Sequence, residues 1–241
     1  MSHAAIDYLK SLPNSEQFNL EIIEKLFHEY KNELLQWNKI MNLMSEGDFP
    51  RIESRHFLDS IMPAPFIKSP SNIIDIGSGS GLPGLPLKII FPGIRLTMLD
   101  SNKKKCQFLD HVRTLLRLDD VEVISDRAET ISKNTTKRES YDFAVTRAFA
   151  NPAPAIEMVL PFVKIGGKAL FWGSEDAWGD TDRINQLLSL LGGKYDQHLD
   201  YVLPEDSAGL RRRITVASKV SATPENYPRA VGIPQKRPLG E

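Results

Sequence analysis

The chain has 241 residues, enough for one full core plus an appendage. Its 41% hydrophobic and 25% charged residues exclude disorder as the default state, and a net charge of −1 argues against general attraction to polyanions. A single cysteine, Cys106, excludes an intrachain disulfide and a multi-cysteine zinc site; no metal is expected. No apolar run reaches membrane-spanning length without Pro, Gly or charge, and no basic-then-apolar leader is recognisable, so a cytoplasmic chain is expected.

From the N-terminus, Phe18, Ile22, Leu26, Tyr30 and Leu34 recur every four residues, with Ile23, Phe27 and Trp37 widening the stripe. This predicts a long amphipathic helix over residues 15–41, capped by Ser15 with Glu16 in the first turn. A second helix is expected over residues 51–62, followed by a linker marked by Pro63, Pro65 and Pro70. Residues 1–70 therefore read as a helical extension packed on the rest of the chain.

Ile73, Ile74 and Ile76 then form a strand apolar on both faces, which breaks at Asp75-Ile-Gly77-Ser-Gly79-Ser-Gly81-Leu82-Pro83-Gly84. Such glycines permit positive φ and let a ligand approach the backbone; the alternative is a plain strand-to-helix turn. A second strand, residues 94–99, ends at Asp100, 23 residues after Gly77. An acid at that point accepts ribose hydroxyls or caps the helix starting near Asn102, and the two roles are compatible.

Further strands are expected at residues 142–145, 168–172, 195–203 and 211–217, with helices at 83–91, 102–116, 151–162 and 180–191. This rhythm predicts an α/β fold, a doubly wound Rossmann-like sheet over residues 71–220 whose last two strands pair as an antiparallel hairpin. Cys106 falls in an amphipathic helix as a packing residue. Residues 221–241 form a basic, proline-rich tail, expected to be extended or disordered unless bound.

Charge is unevenly distributed. Residues 211–241 hold seven basic and two acidic residues, and residues 151–210 four basic and nine acidic. Arg211, Arg212, Arg213, Arg229, Lys236 and Arg237 are accordingly candidate contacts to RNA phosphates, against the alternative of solvated surface charge.

The glycine spacing discriminates between cofactors. A dinucleotide fingerprint needs glycine at the sixth position from Gly77, which is Leu82. The order acid-x-Gly-x-Gly-x-Gly instead resembles S-adenosylmethionine (SAM) methyltransferases. The resemblance then narrows through Trp37-Asn38, Met41-Asn42-Leu43, Arg55-His56-Phe57-Leu58-Asp59-Ser60, Leu99-Asp100-Ser101, Arg127-Ala128-Glu129, Thr146-Arg147-Ala148-Phe149-Ala150, Tyr227-Pro228-Arg229 and Gly232-Ile233-Pro234. Together these resemble the bacterial ribosomal RNA small-subunit methyltransferase G family, also called glucose-inhibited division protein B.

That resemblance implies SAM as cofactor, N7 of a guanine in 16S ribosomal RNA as acceptor, and a partner that is small-subunit RNA or a ribosomal particle; separately, a monomer is expected, although the sequence leaves the oligomeric state open. It also implies cofactor contacts at Gly77, Leu82, Ala128, Glu129 and Arg147, joined by Gly79 and Asp100 from the reading of the loop and strand ends. Outside that context Glu129 could be an exposed helix acid and Arg147 a surface ion-pair partner. Many relatives carry Lys-Gly after the fifth strand where this chain has Gly173-Ser174, which puts any role of that lysine in doubt here.

N7 carries a lone pair and no proton, so no general base is required and no catalytic residue is assigned. His56 and Arg147 are positioning candidates, His56 contacting RNA or cofactor unless it is tied structurally to Asp59. Phe149 is a candidate for stacking on an extruded base, or a core aromatic. Two other readings remain open: a ribosome-binding protein without transfer activity, and an NAD-dependent dehydrogenase.

Overall fold

The computed structural model describes residues 3–147, 151–204, 206 and 210–240. The chain begins with α1 (Ala4–Ser11) and α2 (Leu20–Asn38). Ser15 is not the cap: residues Ser15–Gln17 make a 3-10 turn, and Phe18 turns inward against Phe91, with ring centroids 5.6 Å apart. Asn19 therefore starts α2, its side chain accepting from Ile22 N–H.

The helix expected over 51–62 is wound three ways. A 3-10 stretch (Glu46–Arg51) leads into a π-helix (Ile52–Phe57), which narrows to α3 (Leu58–Ile61). The wide turn leaves the His56 carbonyl to accept from Ser60 Oγ at 2.7 Å and Arg147 at 3.2 Å.

The sheet and its helices come next in sequence: β1 (Asn72–Ile76), α4 (Gly84–Ile90), β2 (Arg95–Asp100), α5 (Lys103–Leu115), β3 (Val121–Ser125), α6 (Ala128–Ile131), β4 (Tyr141–Thr146), α7 (Pro152–Val159), β5 (Val163–Ser174), α8 (Glu175–Trp178), α9 (Thr181–Leu190), β6 (Gly193–Tyr201), β7 (Arg212–Lys219) and α10 (Ile233–Lys236). Strand order is β3-β2-β1-β4-β5-β7-β6; the first five are parallel, while β7 runs antiparallel to both neighbours. The α/β expectation and the closing hairpin both hold.

The two-residue period of the strands divides the core. Ile73, Leu96, Met98 and Val145 face one way, joining Phe27, Tyr30, Leu34 and Phe57 of the N-terminal segment. Ile74, Ile76, Leu99 and Ala144 face the other, under α7 and α9. The first 70 residues thus share one hydrophobic core with the sheet.

The proline-rich tail is ordered against the sheet's second face, contrary to the sequence expectation. Prolines need no N–H ladder, and the tail carbonyls are satisfied from outside: Arg138 donates to Thr223 O at 2.8 Å and Tyr227 O at 3.0 Å. Fully buried Glu157 of α7 accepts from both the backbone and the guanidinium of Arg229. Buried Lys219 donates to Leu160 O at 2.8 Å and pairs with Glu139 at 2.9 Å, while Glu139 also accepts from Thr223 N–H.

Arg229→Ala would leave Glu157 buried without its cation, which costs about 3–5 kcal/mol. Urea denaturation should report a loss of that order, and limited proteolysis should cut residues 223–237 faster than in the wild-type chain.

Candidate functional site

The glycine loop obeys two different demands. Gly77, Gly79 and Gly81 all take positive φ (73°, 58° and 91°). A Cβ on Gly81 would lie 2.4 Å from Leu85 Cδ1, and one on Gly84 would lie 2.7 Å from Asp75 Oδ2, so those glycines are required by packing. A Cβ on Gly79 would meet only Gly77 O at 3.7 Å and Lys105 Nζ at 4.0 Å. That position is an open cradle, the surface a cofactor needs to approach backbone closely.

Asp100 is not the cap of α5: Asn102 fills that place, its side chain accepting from Lys104 N–H and Lys105 N–H. Asp100 Oδ2 accepts from Gly79 N–H and its Oδ1 from Asn102 N–H, both at 2.8 Å. It therefore fixes the loop and the turn into α5, and each oxygen keeps a lone pair for a ribose hydroxyl. Cys106 is buried as a packing residue, its thiol donating to Asp100 O at 3.3 Å.

Gly77, Asp100, Ala128 and Arg147 lie at or just beyond the C-terminal ends of β1, β2, β3 and β4, four adjacent parallel strands. Ligands of open α/β sheets bind on this edge. Leu82 is 9% exposed and packs into the core. Oε1 of the Glu129 carboxylate accepts from Gly232 N–H at 2.8 Å, so the tail braces the first turn of α6.

The structure brings His56 and Arg147 into direct contact. Arg147 donates to His56 Nδ1, which places the imidazole proton on Nε2, 3.2 Å from Asp48 Oδ2 but poorly angled for a hydrogen bond. Arg147 also pairs with Asp59 Oδ2 at 3.1 Å and donates to Ser60 Oγ. His56 is 8% exposed and held by Asp48 and Arg147, and it meets Asp59 only through Arg147, which pairs with both. Phe149 lies outside the described residues.

Three of the six candidate RNA-binding residues are already committed. Arg212 pairs with Asp206 and Asp59, Arg213 with Asp200, and Arg229 with Glu157. Arg211, Lys236 and Arg237 remain exposed. Lys103 and Lys104 at the start of α5 and Arg127 after β3, which were not among those candidates, are also exposed and have no ion pair among the described residues. The first turn of α5 holds three lysines and no acid, a placement the helix dipole disfavours.

A cavity of about 270 Å³ opens beside Arg147, between Arg55, Trp172, Ser174, Tyr201 and Arg211. A larger one, about 390 Å³, lies near Arg95, Glu122 and Tyr141, around the opposite ends of the strands. The edge rule selects the first. The Gly173-Ser174 departure also has a packing cause: a Cβ on Gly173 would lie 2.2 Å from buried Trp178, so this arrangement has no room for lysine.

The strand order, the loop after β1 and the acid closing β2 define a SAM-dependent methyltransferase. Solved structures agree on the fold: M. jannaschii TYW2 in complex with AdoMet aligns with TM-score 0.54 at 12% identity, covering 75% of this chain and 80% of its own. A putative transferase from Pyrococcus horikoshii gives 0.57 at 11%, covering 74% and 65%. The family model GidB, rRNA small subunit methyltransferase G, matches residues 23–194. The Ribosomal RNA small subunit methyltransferase G of Listeria monocytogenes is 36% identical over 94% of this chain and 99% of its own length; that of Staphylococcus aureus is 38% identical over 94% and 95%. The chain belongs to the rRNA small subunit methyltransferase G family.

Two buried groups near the site titrate in opposition. Burial drives His56 down to about 4, with Arg147 adding to the effect and Asp48 opposing it. Burial pushes Asp75 up to about 7, against the lowering influence of the Gly84 N–H and with Asp100 adding to the rise. From about pH 6.5 down to 4 the unfolded chain takes up a proton at His56 that the folded chain refuses, so stability falls with acid. Over roughly the same window folded Asp75 holds a proton that the unfolded chain releases, so stability rises with acid. The two slopes, each at most about 1.4 kcal/mol per pH unit, oppose one another, and His198, lowered by burial and Arg213, adds to the loss on acidification. Urea unfolding between about pH 6.5 and 4 should show His56→Gln gaining stability relative to wild type as the pH falls, and Asp75→Asn losing it.

Proposed function

We propose that this chain transfers the methyl group of SAM to N7 of a guanine in small-subunit (16S) ribosomal RNA. The observation that carries the reading is the convergence of Gly77, Asp100, Ala128 and Arg147 on one sheet edge, beside an open cavity, in a chain of this family. In this reading Gly77, Gly79, Leu82, Asp100, Ala128 and Glu129 hold the cofactor, while Arg147 and His56 shape the wall next to it. The protein acts as a cytoplasmic monomer on RNA or a ribosomal particle; among the described residues no helix is long and apolar enough to cross a membrane.

When bound, SAM supplies an electrophilic methyl group on sulfur. The chain's task is to place the guanine N7 lone pair in line with it and to exclude water. The cavity beside Arg147 receives the extruded nucleotide. Arg55 and Arg211 at its margin are donors suited to guanine O6 or a flanking phosphate, leaving N7 free. No side chain needs to remove a proton, in keeping with a His56 that is buried, neutral and already bonded.

Labelled SAM and small-subunit RNA should yield N7-methylguanosine by nucleoside mass spectrometry. The single-turnover rate should change little between mildly acidic and mildly alkaline pH. A tenfold rise per pH unit, or an N1-methyl product, would overturn the assignment. No transfer and no SAM binding would favour a non-catalytic ribosome-binding protein.

The RNA approaches over the cationic rim formed by Lys103, Lys104, Lys105 and Arg127, with Arg211, Lys236 and Arg237 extending it. Replacing Lys103, Lys104 and Lys105 by Gln should lower RNA affinity and flatten its logarithmic salt dependence by about 2, as expected for three lost single-strand phosphate contacts. An unchanged slope in filter binding would remove this rim from the interface.

A further inference from the structure

The cofactor loop has, among the described residues, one side-chain anchor from outside the sheet. Gly77 N–H donates to Leu99 O at 2.8 Å, Gly79 N–H to Asp100, and Gly84 N–H to Asp75 at 3.0 Å. The turn between them, Ser80 to Pro83, is bonded by one side chain among the described residues: Tyr30 of α2, whose hydroxyl donates to Ser80 O at 2.5 Å. Tyr30 is fully buried, and its ring stacks on Phe57 with centroids 5.1 Å apart and planes 10° from parallel. The loop is shaped to receive it, since a Cβ on Gly81 would lie 2.9 Å from the phenol oxygen.

We propose that Tyr30 is a positioning residue for the cofactor: its hydroxyl holds the Ser80 carbonyl so that the Gly77–Gly81 backbone is set for SAM before SAM arrives. The inference rests on the reading of this loop as the SAM cradle. The geometry favours positioning over simple packing because the aromatic contacts already bury the ring, whereas the hydroxyl reaches only the loop. Burial and neighbouring Asp75 hold the phenol well above its usual range, so it donates at every physiological pH. Losing the bond would leave Ser80 O, in a residue 9% exposed, without its protein partner and would release the middle of the cradle.

Tyr30→Phe keeps the ring and removes only the donor. The expected result is a Kd and KM for SAM about tenfold higher, a kcat within twofold of wild type and an unchanged KM for RNA. A purely structural role would lower thermal stability and leave that split absent. Because coupling is reciprocal, SAM binding to the wild-type chain should also slow hydrogen exchange in a peptide of α2 around Tyr30, together with the loop peptide. This second measurement does not depend on the variant folding. Unaltered SAM affinity in Tyr30→Phe, or SAM protection confined to the loop, would overturn the role of Tyr30 while leaving the cradle intact. Failure of the wild-type chain to bind SAM would overturn the cradle itself.

Discussion

Asp59 stands on a short helix outside the sheet, 2% exposed, and gathers hydrogen bonds from the ends of four strands. Its main-chain oxygen accepts from Trp172 of β5, one carboxylate oxygen accepts from Tyr201 of β6 and Arg212 of β7, and the other pairs with Arg147 beyond β4. A buried carboxylate without such partners would cost several kcal/mol, so the N-terminal segment and these strand ends must come together or none of them is stable. One wall of the crevice is therefore defined by an ionic cluster. The opposite wall, at the ends of β1 and β2, is defined by backbone and glycine.

That difference explains what the sequence revealed. The glycine loop and Asp100 were legible because their meaning is local: Gly79 needs its positive φ whatever surrounds it, and an acid at a strand end faces the crevice by alternation. His56 and Arg147 were each identifiable, yet their contact spans 91 residues and leaves no local pattern. The long helix α2 was read correctly at Ile23, Phe27, Tyr30 and Leu34, although Ile22 is exposed, and wrongly at its start, because Ser15 and Asn19 are both competent caps and only Phe18 docking on Phe91 decides between them. The π-helical turn before Asp59 has no periodic signature distinct from an α-helix over so few residues.

The charge distribution misled for a related reason. The acidic stretch before residue 211 and the basic stretch after it appear as two opposite patches along the chain, yet Arg212, Arg213 and Arg229 fold back onto Asp206, Asp200 and Glu157. Sequence polarity became internal neutrality. Arg211, Lys236 and Arg237 stay exposed, and they are joined by exposed Lys103, Lys104 and Arg127, which charge counting by segment does not single out.

The tail has a further consequence for how the molecule is made. Synthesis proceeds from the N-terminus, so Glu129, Glu157 and Lys219 leave the ribosome before Thr223, Arg229 and Gly232, which complete their bonding. A nascent chain thus carries incompletely bonded buried groups, Glu157 above all, on one face of its sheet until residues 223–232 emerge and dock. Translation that stops early yields a polypeptide with unquenched interior charge, a state that cellular proteases can distinguish from the finished molecule.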